Sequence, residues 1–360
     1  MWKYPYKTNP YKHQRDALQE SANKTQWAYF MEMGTGKTKV TIDNFSYLYL
    51  LNKINTVLII APKSVYTVWE SEILLHMPSE IKHKIYKWNI DKPKDLTKLN
   101  NHEGLKIFLI NVEALSTKRG LDGCIDYLTK NKLNFVVLDE STTIKNRTAK
   151  RTKNILKLRI LSARRRILTG SPITKSPLDL YTQCAFLSPD LLGFNSYLTF
   201  RNRYAEMGDI PVGSGRWISI PKYYKRLDEL EEKLKTFSTR IRKDECFDLK
   251  PKVRQKRYIE LEGESQRVYE RLRQSALAIV EDSTISFSNK LTEIIKLHQV
   301  CNGFTKDDEG KLLVLHDQKV KALHEVIEET DGKIIVWANV FLATISIYTT
   351  VPFWPYSYSL

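Results

Sequence analysis

Residues 34–38, GTGKT, have the types and spacing of a phosphate-binding loop. Glycines let backbone N–H groups turn towards a phosphate, and the N-terminus of a helix that follows adds positive potential. In such loops the lysine reaches the β- and γ-phosphates of a nucleotide, and the hydroxyl group after it binds magnesium. Met31 stands where the full pattern has a further glycine, six residues before the lysine. The predicted phosphate-binding residues are Gly34, Thr35, Gly36, Lys37 and Thr38, of which Thr38 is also a predicted magnesium ligand.

An acidic pair, Asp139-Glu140, ends a short apolar segment further along the chain. An aspartate in such a place can hold magnesium, and a neighbouring glutamate can polarise an attacking water molecule. A solvated acidic pair at the end of a strand is the alternative, and the pair alone does not decide between the two. Together with the GTGKT loop, it favours phosphoryl chemistry with Lys37, Asp139 and Glu140 as the catalytic residues and Asp139 as a metal ligand.

The elements that position these motifs are indicated by hydrophobic periodicity. Short apolar segments predict buried strands at residues 26–31, 55–61, 106–111, 134–139 and 166–170. A periodic stretch from the GTGKT loop to about residue 51 predicts a helix. Strands that alternate with helices predict a parallel sheet covered on both faces, with ligands bound at the carboxyl ends of the strands. The GTGKT loop, the acidic pair and Thr169-Gly170-Ser171 all follow such ends.

The second half of the chain has a different pattern. Residues 188–225 read as irregular, and GDIPVGSGRW (208–217) as an exposed loop. Apolar residues at helical spacing then predict four amphipathic helices between residues 227 and 327. Residues 333–338 return to a strand pattern.

Composition and charge limit the class of protein. With 360 residues, 42% of them hydrophobic, the chain is long and apolar enough for more than one domain, which excludes a disordered or fibrous chain. A formal net charge of +16 favours a polyanionic partner, either nucleic acid or an anionic membrane surface. The four cysteines are widely spaced and read as buried thiols of a reducing compartment, which predicts a cytoplasmic or otherwise intracellular protein.

Taken in order, the motifs resemble those of the superfamily-two helicases (DEAD/DEAH-like ATPases), and more narrowly the Swi/Snf-like DNA translocases. EMGTGKT (32–38) is similar to motif I, LIIAPKSVYTVWESE (58–72) to motif Ia, VLDESTTIKN (137–146) to motif II, and ILTGSPITKSPLDLYTQ (167–183) to motif III with the helix after it. NPYKHQ (9–14) resembles the adenine-recognition motif, LHQVCNGF (297–304) a short family signature and KIIVWANV (333–340) motif IV.

The resemblance implies a fold and a division into domains. The fold class is α/β, with a RecA-like P-loop NTPase lobe, a helical insertion and an incomplete second RecA-like lobe. Residues 1–190 would form lobe 1, residues 191–257 the helical insertion and inter-lobe linker, and residues 258–360 the start of lobe 2, truncated after motif IV.

The resemblance also implies function and site residues. The chain would be an ATP-dependent translocase on double-stranded DNA, with ATP and magnesium as cofactors. Gln14 would read the adenine base. The implied contacts to the DNA backbone are Lys63, Ser64, Lys145 and Arg147, and the implied coupling residues are Thr169, Gly170 and Ser171.

Two features depart from the family pattern. Motif II reads Asp-Glu-Ser-Thr instead of Asp-Glu-Ala-His, and we expect Ser141 and Thr142 to keep a link to motif III in altered form. The sequence also contains no motif V or VI, whose arginines complete the ATP site in the family. The alternative to a working motor is therefore a non-catalytic or weakly active ATP- and DNA-binding fragment, or one subunit of a split motor whose remaining lobe is on a separate polypeptide. A P-loop NTPase of another class is disfavoured by the TGS segment.

Basic residues concentrate between Ser141 and Leu178, where no acidic residue occurs. This one-sided charge predicts salt-sensitive DNA binding without sequence preference. We expect Arg164, Arg165 and Arg166 to contribute, unless they support the sheet edge instead. Trp69 is expected to pack in the core.

The uncharged stretch 334–351 is long enough to be considered as a membrane span. Its Asn, Ser and Thr residues dilute the apolar character, and the resemblance makes it the strand and next helix of lobe 2. No membrane is therefore expected.

Overall fold

The computed structural model describes residues 4–91, 94–211, 217–248, 251, 253–281, 287–306 and 311–337. The chain divides into two compact units, residues 1–250 and residues 251–360. The helices of the first unit are α1 Lys12–Ser21, α2 Lys37–Leu50, α3 Tyr66–His76, α4 Lys94–Asn100, α5 Lys118–Lys130, α6 Lys150–Leu158, α7 Leu180–Leu187, α8 Tyr197–Tyr204, α9 Leu227–Lys235 and α10 Lys243–Cys246. Its strands are β1 Gln26–Met31, β2 Thr56–Ala61, β3 His83–Lys87, β4 Leu105–Asn111, β5 Asn134–Asp139, β6 Arg164–Leu168, β7 Ala205–Pro211, β8 Trp217–Tyr224 and β9 Ser238–Ile241.

Seven of these strands form one parallel sheet in the order β3-β4-β2-β5-β6-β1-β9. The central strands β2 and β5 are apolar along most of their length because helices cover both faces of the sheet. Their side chains, such as Leu58 and Val137, are fully buried. The predicted parallel α/β sheet is confirmed, and β5, β6 and β1 bring the ends of three motif-bearing strands side by side.

The five strands predicted from apolar segments are all present, but two further strands at the sheet edges were not predicted. The strand β3 (HKIYK) is half-exposed and the strand β9 (STRI) is short and polar, so neither produces an apolar run in the sequence. Both form because a neighbouring strand supplies hydrogen-bond partners, β4 for β3 and β1 for β9. The prediction failed here because an edge strand depends on tertiary pairing more than on its own composition.

The region predicted to be irregular, 188–225, contains regular structure. It includes α8 and an antiparallel hairpin in which Ala205 pairs with Tyr224 and Pro211 pairs with Trp217. The expected loop at 208–217 is therefore wrong for residues 208–211 and 217, which belong to the two strands. Cross-strand hydrogen bonds satisfy the backbone of these residues, and Pro211 lies at a strand end, where proline is tolerated.

The three arginines of β6 contribute to the fold, and the burial of Arg166 contradicts its expected role in DNA binding. Arg166 is fully buried and donates hydrogen bonds to Asn44 Oδ1 at 3.0 Å and to the Ser21 carbonyl at 3.0 Å. Arg165 donates to the Leu187 carbonyl at 2.7 Å. A buried cationic group is expensive unless such partners surround it, so Arg166 is committed to internal contacts.

The second unit is described by itself. Its elements are α11 Gly263–Glu281, α12 Phe287–Cys301, β10 Phe304–Lys306, β11 Leu312–Val314 and α13 Gln318–Glu328, with β10 and β11 in an antiparallel pair. With α9 of the first unit, these helices confirm the four predicted amphipathic helices.

The strand predicted at residues 333–338 is wrong for the part that the structure describes. Residues 333–337 are in neither helix nor strand, and residue 338 lies outside the described ranges. A strand requires a hydrogen-bonded neighbour, and no described residue of the second unit pairs with this segment. Across the described ranges, no helix combines the length and apolar character needed to cross a membrane, and most of the stretch 334–351 lies outside those ranges.

Candidate functional site

The GTGKT loop connects β1 to α2 and follows the conformation that its glycines permit. Gly34 and Gly36 have positive φ angles of 84° and 88°, a region that residues with a Cβ atom rarely adopt. Gly36 is the N-cap of α2, so Lys37 and Thr38 occupy the first turn of the helix. The hydroxyl of Thr35 donates to the Glu32 carbonyl at 2.7 Å and closes the turn. The loop therefore presents a helix N-terminus, a lysine and a hydroxyl group at the carboxyl edge of the sheet.

Lys37 is half-buried and surrounded by acidic side chains. Burial lowers the pKa of its ammonium group, whereas the charges of Glu140, Asp139 and Glu32 raise it. The neighbouring carboxylates favour the charged form of the ammonium group, which its burial disfavours. This environment suits the binding of a phosphate group.

The two oxygens of Asp139 each accept a hydrogen bond. Trp69 Nε1 donates to Oδ2 at 2.9 Å, and the backbone N–H of Glu140 donates to Oδ1 at 2.9 Å. Burial raises the pKa of Asp139, against the opposing effects of these two bonds and of Lys37. The carboxylate is thus fixed in orientation in a place where burial disfavours its negative charge, so a bound cation would stabilise it.

Glu140 adopts a backbone conformation that is unusual for a residue with a side chain. Its φ and ψ angles are 46° and 60°, in the left-handed region. Burial and the neighbouring charge of Asp139 raise the pKa of its carboxyl group, while Lys37 and a hydrogen bond from Thr169 lower it. Strain of this kind persists only where the surrounding structure fixes it, and it is concentrated at functional sites.

The segment Thr169-Gly170-Ser171 follows β6 and lies between the other two motifs. The hydroxyl of Thr169 donates to Glu140 Oε2 at 3.4 Å, and its oxygen accepts from the Ser171 N–H at 3.2 Å. A side chain at Gly170 would come within 3.3 Å of the Met33 backbone nitrogen, next to the GTGKT loop. The structure therefore brings the acidic pair, the TGS segment and the GTGKT loop together.

The altered motif II keeps a link to motif III, as the sequence predicted for Ser141. The hydroxyl of this buried residue donates to Gln183 Oε1 at 2.6 Å. Gln183 Nε2 in turn donates to the Pro172 carbonyl at 2.8 Å, directly after the TGS segment. Gln183 was not predicted as a site residue, because its partner in the sequence is forty-two positions away.

Gln14 lies against the GTGKT loop. Its Oε1 accepts from the Tyr11 N–H at 3.0 Å and its Nε2 donates to the Thr35 carbonyl at 3.2 Å. A Cβ atom on Gly36 would clash with its amide group. The rings of Tyr11, His13 and Phe247 contact one another, with centroids 5.4 to 5.7 Å apart.

Lys243 lies beside the GTGKT loop, a position that the sequence did not predict for it. Its backbone N–H donates to Glu32 Oε2 at 2.8 Å, and its Nζ lies 3.6 Å from where a Cβ atom on Gly34 would be. The strand β9, which was also not predicted, delivers this residue to the loop. Contacts of this type come from tertiary structure and leave no local signal in the sequence.

The residues implied to contact DNA are all exposed. Lys63 and Ser64 lie in a single 3₁₀ turn between β2 and α3. Lys145 donates to Thr174 Oγ1 at 2.7 Å, and the guanidinium of Arg147 stacks on the ring of Tyr197 at 4.7 Å. Lys145 and Arg147 therefore have contacts within the chain, although exposure leaves them accessible to a phosphate backbone.

The donor groups fit a magnesium–nucleotide complex. Thr38 offers a hydroxyl oxygen and Asp139 a carboxylate oxygen, which are the hard ligands that magnesium prefers. Among the described residues no cluster of His, Cys, Asp and Glu side chains suits a metal held by the protein alone. Magnesium that is bound by few protein groups and by phosphate oxygens does not need such a cluster.

Comparison with known proteins agrees with this arrangement. Residues 28–305 match the family model of the SNF2-related domain. The chain is 28% identical over 285 residues to the chromatin-remodeling ATPase INO80 of Candida albicans, covering 75% of this chain and 20% of that protein. It is 28% identical over 317 residues to an uncharacterized ATP-dependent helicase of Mycoplasma pneumoniae, covering 86% of this chain and 28% of that protein. The chain thus spans well under a third of either relative.

A solved structure shows the same fold. The SWI2/SNF2 ATPase core of Sulfolobus solfataricus, in complex with dsDNA, is similar with a TM-score of 0.52. The two are 24% identical, and the similarity covers 91% of this chain and 66% of that one. The predicted RecA-like α/β fold class is confirmed, whereas the truncation of a second lobe stays a prediction.

Proposed function

This chain belongs to the SNF2-related domain family, whose match spans residues 28–305, and from that premise we propose that it is a DNA-dependent ATPase that translocates along double-stranded DNA. The observation that carries the proposal is the meeting of three motifs at the carboxyl ends of β1, β5 and β6. They supply a phosphate loop, an acidic pair and a polar segment that contacts the acidic pair and lies next to the residues that lead into the loop. The proposal includes an intracellular location, where the DNA is.

ATP would be held by the GTGKT loop. The N–H groups at the start of α2 and the ammonium group of Lys37 would bind its phosphates, and Gln14 would lie beside the base. Thr38 and Asp139 would hold magnesium, which when bound neutralises charge on the phosphate oxygens. The half-buried position of Lys37 would strengthen its contact with the γ-phosphate, because charge-assisted bonds are stronger away from water.

Glu140 would orient the water molecule that attacks the γ-phosphate and accept its proton. Two features hold the carboxylate for this role: the left-handed backbone at Glu140 and the hydrogen bond from Thr169. The raised pKa of Glu140 makes its carboxylate a better proton acceptor than an exposed glutamate.

The coupling between the nucleotide and the rest of the chain would pass through Thr169, Gly170 and Ser171. Loss of the γ-phosphate alters the surroundings of Glu140, and Thr169 contacts that side chain. Ser141 and Gln183 continue the path into α7. Lys63, Ser64, Lys145 and Arg147 would contact the DNA backbone, which carries no sequence information and suits a motor that moves along any sequence.

A triplex-displacement experiment tests translocation. A third strand bound to duplex DNA is released when a motor moves along the duplex, and no separation of the duplex strands is required. We expect ATP-dependent release by the wild-type chain and none by Lys37→Ala. Equal release without ATP would contradict the proposal.

The second candidate function is a split or weakly active motor. The described part of the second unit exposes large apolar side chains, among them Val314, Ile335 and Trp337, of which Trp337 is 91% exposed. Apolar groups at this density are usually covered by further protein. We propose that the covering surface is the remaining part of the second lobe, carried on a separate polypeptide if not on this one.

A complementation experiment separates the two functions. In the split-motor case the chain alone binds ATP and duplex DNA without turnover, and hydrolysis appears when a polypeptide with motifs V and VI is added. Full turnover by the chain alone, unchanged by the addition, would rule the split motor out.

A further inference from the structure

Trp69 contacts the acidic pair from a neighbouring element. It lies in the second turn of α3 and is only 1% exposed. Its indole Nε1 donates a hydrogen bond of 2.9 Å to Asp139 Oδ2. The sequence suggested only a packing role for this residue, and packing alone would not require that its N–H group reach a carboxylate.

The choice of acceptor is informative. A buried indole N–H usually finds a partner, and a backbone carbonyl or a hydroxyl group serves that need without involving a charged group. Here the partner is the carboxylate proposed to hold magnesium, and its other oxygen is already fixed by the Glu140 N–H at 2.9 Å. The two bonds together leave the carboxylate little freedom to rotate.

The helix α3 connects this contact to an exposed turn at the end of β2. The helix begins directly after the exposed 3₁₀ turn Lys63–Val65 at the end of β2. The strand β2 pairs with β5, whose last residue is Asp139. Trp69 is therefore the link between the element that follows this turn and the carboxylate at the end of the neighbouring strand.

We propose that Trp69 is a positioning residue that orients Asp139 for magnesium, acting through the hydrogen bond from its indole Nε1. The proposal rests on the proposed function, because it requires a magnesium–nucleotide complex at Asp139. Groups that orient a metal ligand through a hydrogen bond commonly change metal affinity by about 10-fold to 100-fold when they are removed. Trp69→Phe keeps an aromatic ring and removes the donor.

The chain offers a matched control in Trp27 on β1. Its side chain is 3% exposed, and its Nε1 donates to Thr239 Oγ1 at 2.9 Å. Trp27→Phe thus makes the same chemical change, at similar burial and with a hydrogen bond of the same length, but to a hydroxyl group of β9. Any general effect of losing an indole should be common to the two variants.

The experiment measures binding rather than turnover. A fluorescent ATP analogue is titrated with MgCl₂ at fixed concentrations of protein and nucleotide, without DNA, and the magnesium concentration for half-maximal binding is determined. We expect Trp69→Phe to raise that concentration about tenfold, and Trp27→Phe to leave it at the wild-type value. Melting temperatures are recorded for both variants, since a purely structural role of Trp69 would lower the melting temperature and leave the magnesium requirement unchanged.

A wild-type magnesium requirement in folded Trp69→Phe would overturn the proposal. If that variant does not fold, Trp69→Met provides a second apolar side chain without an N–H or O–H donor and is held to the same two outcomes. Failure of the proposed function can be told apart from failure of the Trp69 proposal, because the first is measured on the wild-type chain and the second on the variant. Binding of the analogue that is unaffected by magnesium in the wild type would refute both.

Discussion

Lys37 and Glu140 are the residues on which the chemistry of the site depends. One contributes an ammonium group to the phosphates and the other a carboxylate to the attacking water. Their pKa values shift for the same physical reason, since burial disfavours the charged form of both. The roles of Lys37 and Glu140 can be tested separately by substituting each residue in turn.

We predict that Lys37→Ala weakens ATP binding about 10-fold to 100-fold, the equivalent of one charge-assisted hydrogen bond. Binding of a fluorescent ATP analogue at equilibrium measures this. Lys130→Ala is the control, because Lys130 is an exposed lysine of α5 that pairs with Asp126 one helical turn away. Equal affinity in wild type and Lys37→Ala would remove the phosphate-site assignment.

Glu140→Gln should separate binding from hydrolysis. The amide keeps the size and one acceptor of the side chain but cannot take a proton, so we expect ATP binding near the wild-type level and turnover reduced by about 10²-fold to 10⁴-fold. Single-turnover hydrolysis and equilibrium binding are measured on the same preparation. Turnover within about twofold of wild type would show that another group activates the water.

Among the residues of the site, the sequence predicts those whose role can be recognised from their immediate neighbours in the chain. GTGKT, the acidic pair and TGS are contiguous residues whose types carry their chemistry, and the structure brings them to one edge of the sheet. Trp69, Gln183 and Lys243 contact the same site through tertiary structure. Nothing in the residues next to them indicates these contacts.

The element β6 shows how a basic segment can be internal. Its three consecutive arginines look like a surface for DNA in the sequence, yet Arg166 is fully buried and Arg164 and Arg165 donate to backbone carbonyls. Burial lowers the pKa of Arg166 to about 10. The element needs these cations because the carbonyls of the adjacent turns would otherwise lack partners.

Arg166→Ala should therefore destabilise the fold, by about 3 to 5 kcal/mol, through a cavity and the loss of partners for buried polar groups. Urea unfolding followed by circular dichroism measures the change. An unfolding free energy within about 0.5 kcal/mol of wild type, the range of ordinary surface substitutions, would return Arg166 to the candidate DNA contacts.

The segment after β5 gives the converse prediction. Lys145 and Arg147 are exposed, so the double variant Lys145→Gln, Arg147→Gln should keep wild-type stability and lose DNA affinity. Each lost phosphate contact should lower the salt dependence, the slope of log K against log [salt], by about 1. Fluorescence anisotropy with a labelled duplex at several salt concentrations measures both. An unchanged slope would mean that neither residue contacts the DNA backbone.

For the whole molecule, the two units differ in how far the sequence could predict them. The first is dominated by buried parallel strands, whose apolar runs are strong signals and whose carboxyl ends mark the site. The second consists in its described part of amphipathic helices and one short hairpin, and its exposed apolar side chains lack cover within the described residues. Its strand prediction failed because a strand needs a neighbour, which hydrophobicity alone does not supply.

The net charge of +16 belongs to the molecule as a whole and favours association with a polyanion. It does not distinguish a motor from a protein that merely binds DNA. That distinction depends on whether DNA binding accelerates ATP hydrolysis.

The most direct test is ATP hydrolysis by the purified chain with and without duplex DNA, beside Lys37→Ala. We predict turnover that rises on addition of duplex and is absent in the variant. Turnover that DNA does not change, or that persists in Lys37→Ala, would contradict the account. Binding of ATP and DNA without any turnover would contradict the autonomous motor and leave the split motor as the function of this chain.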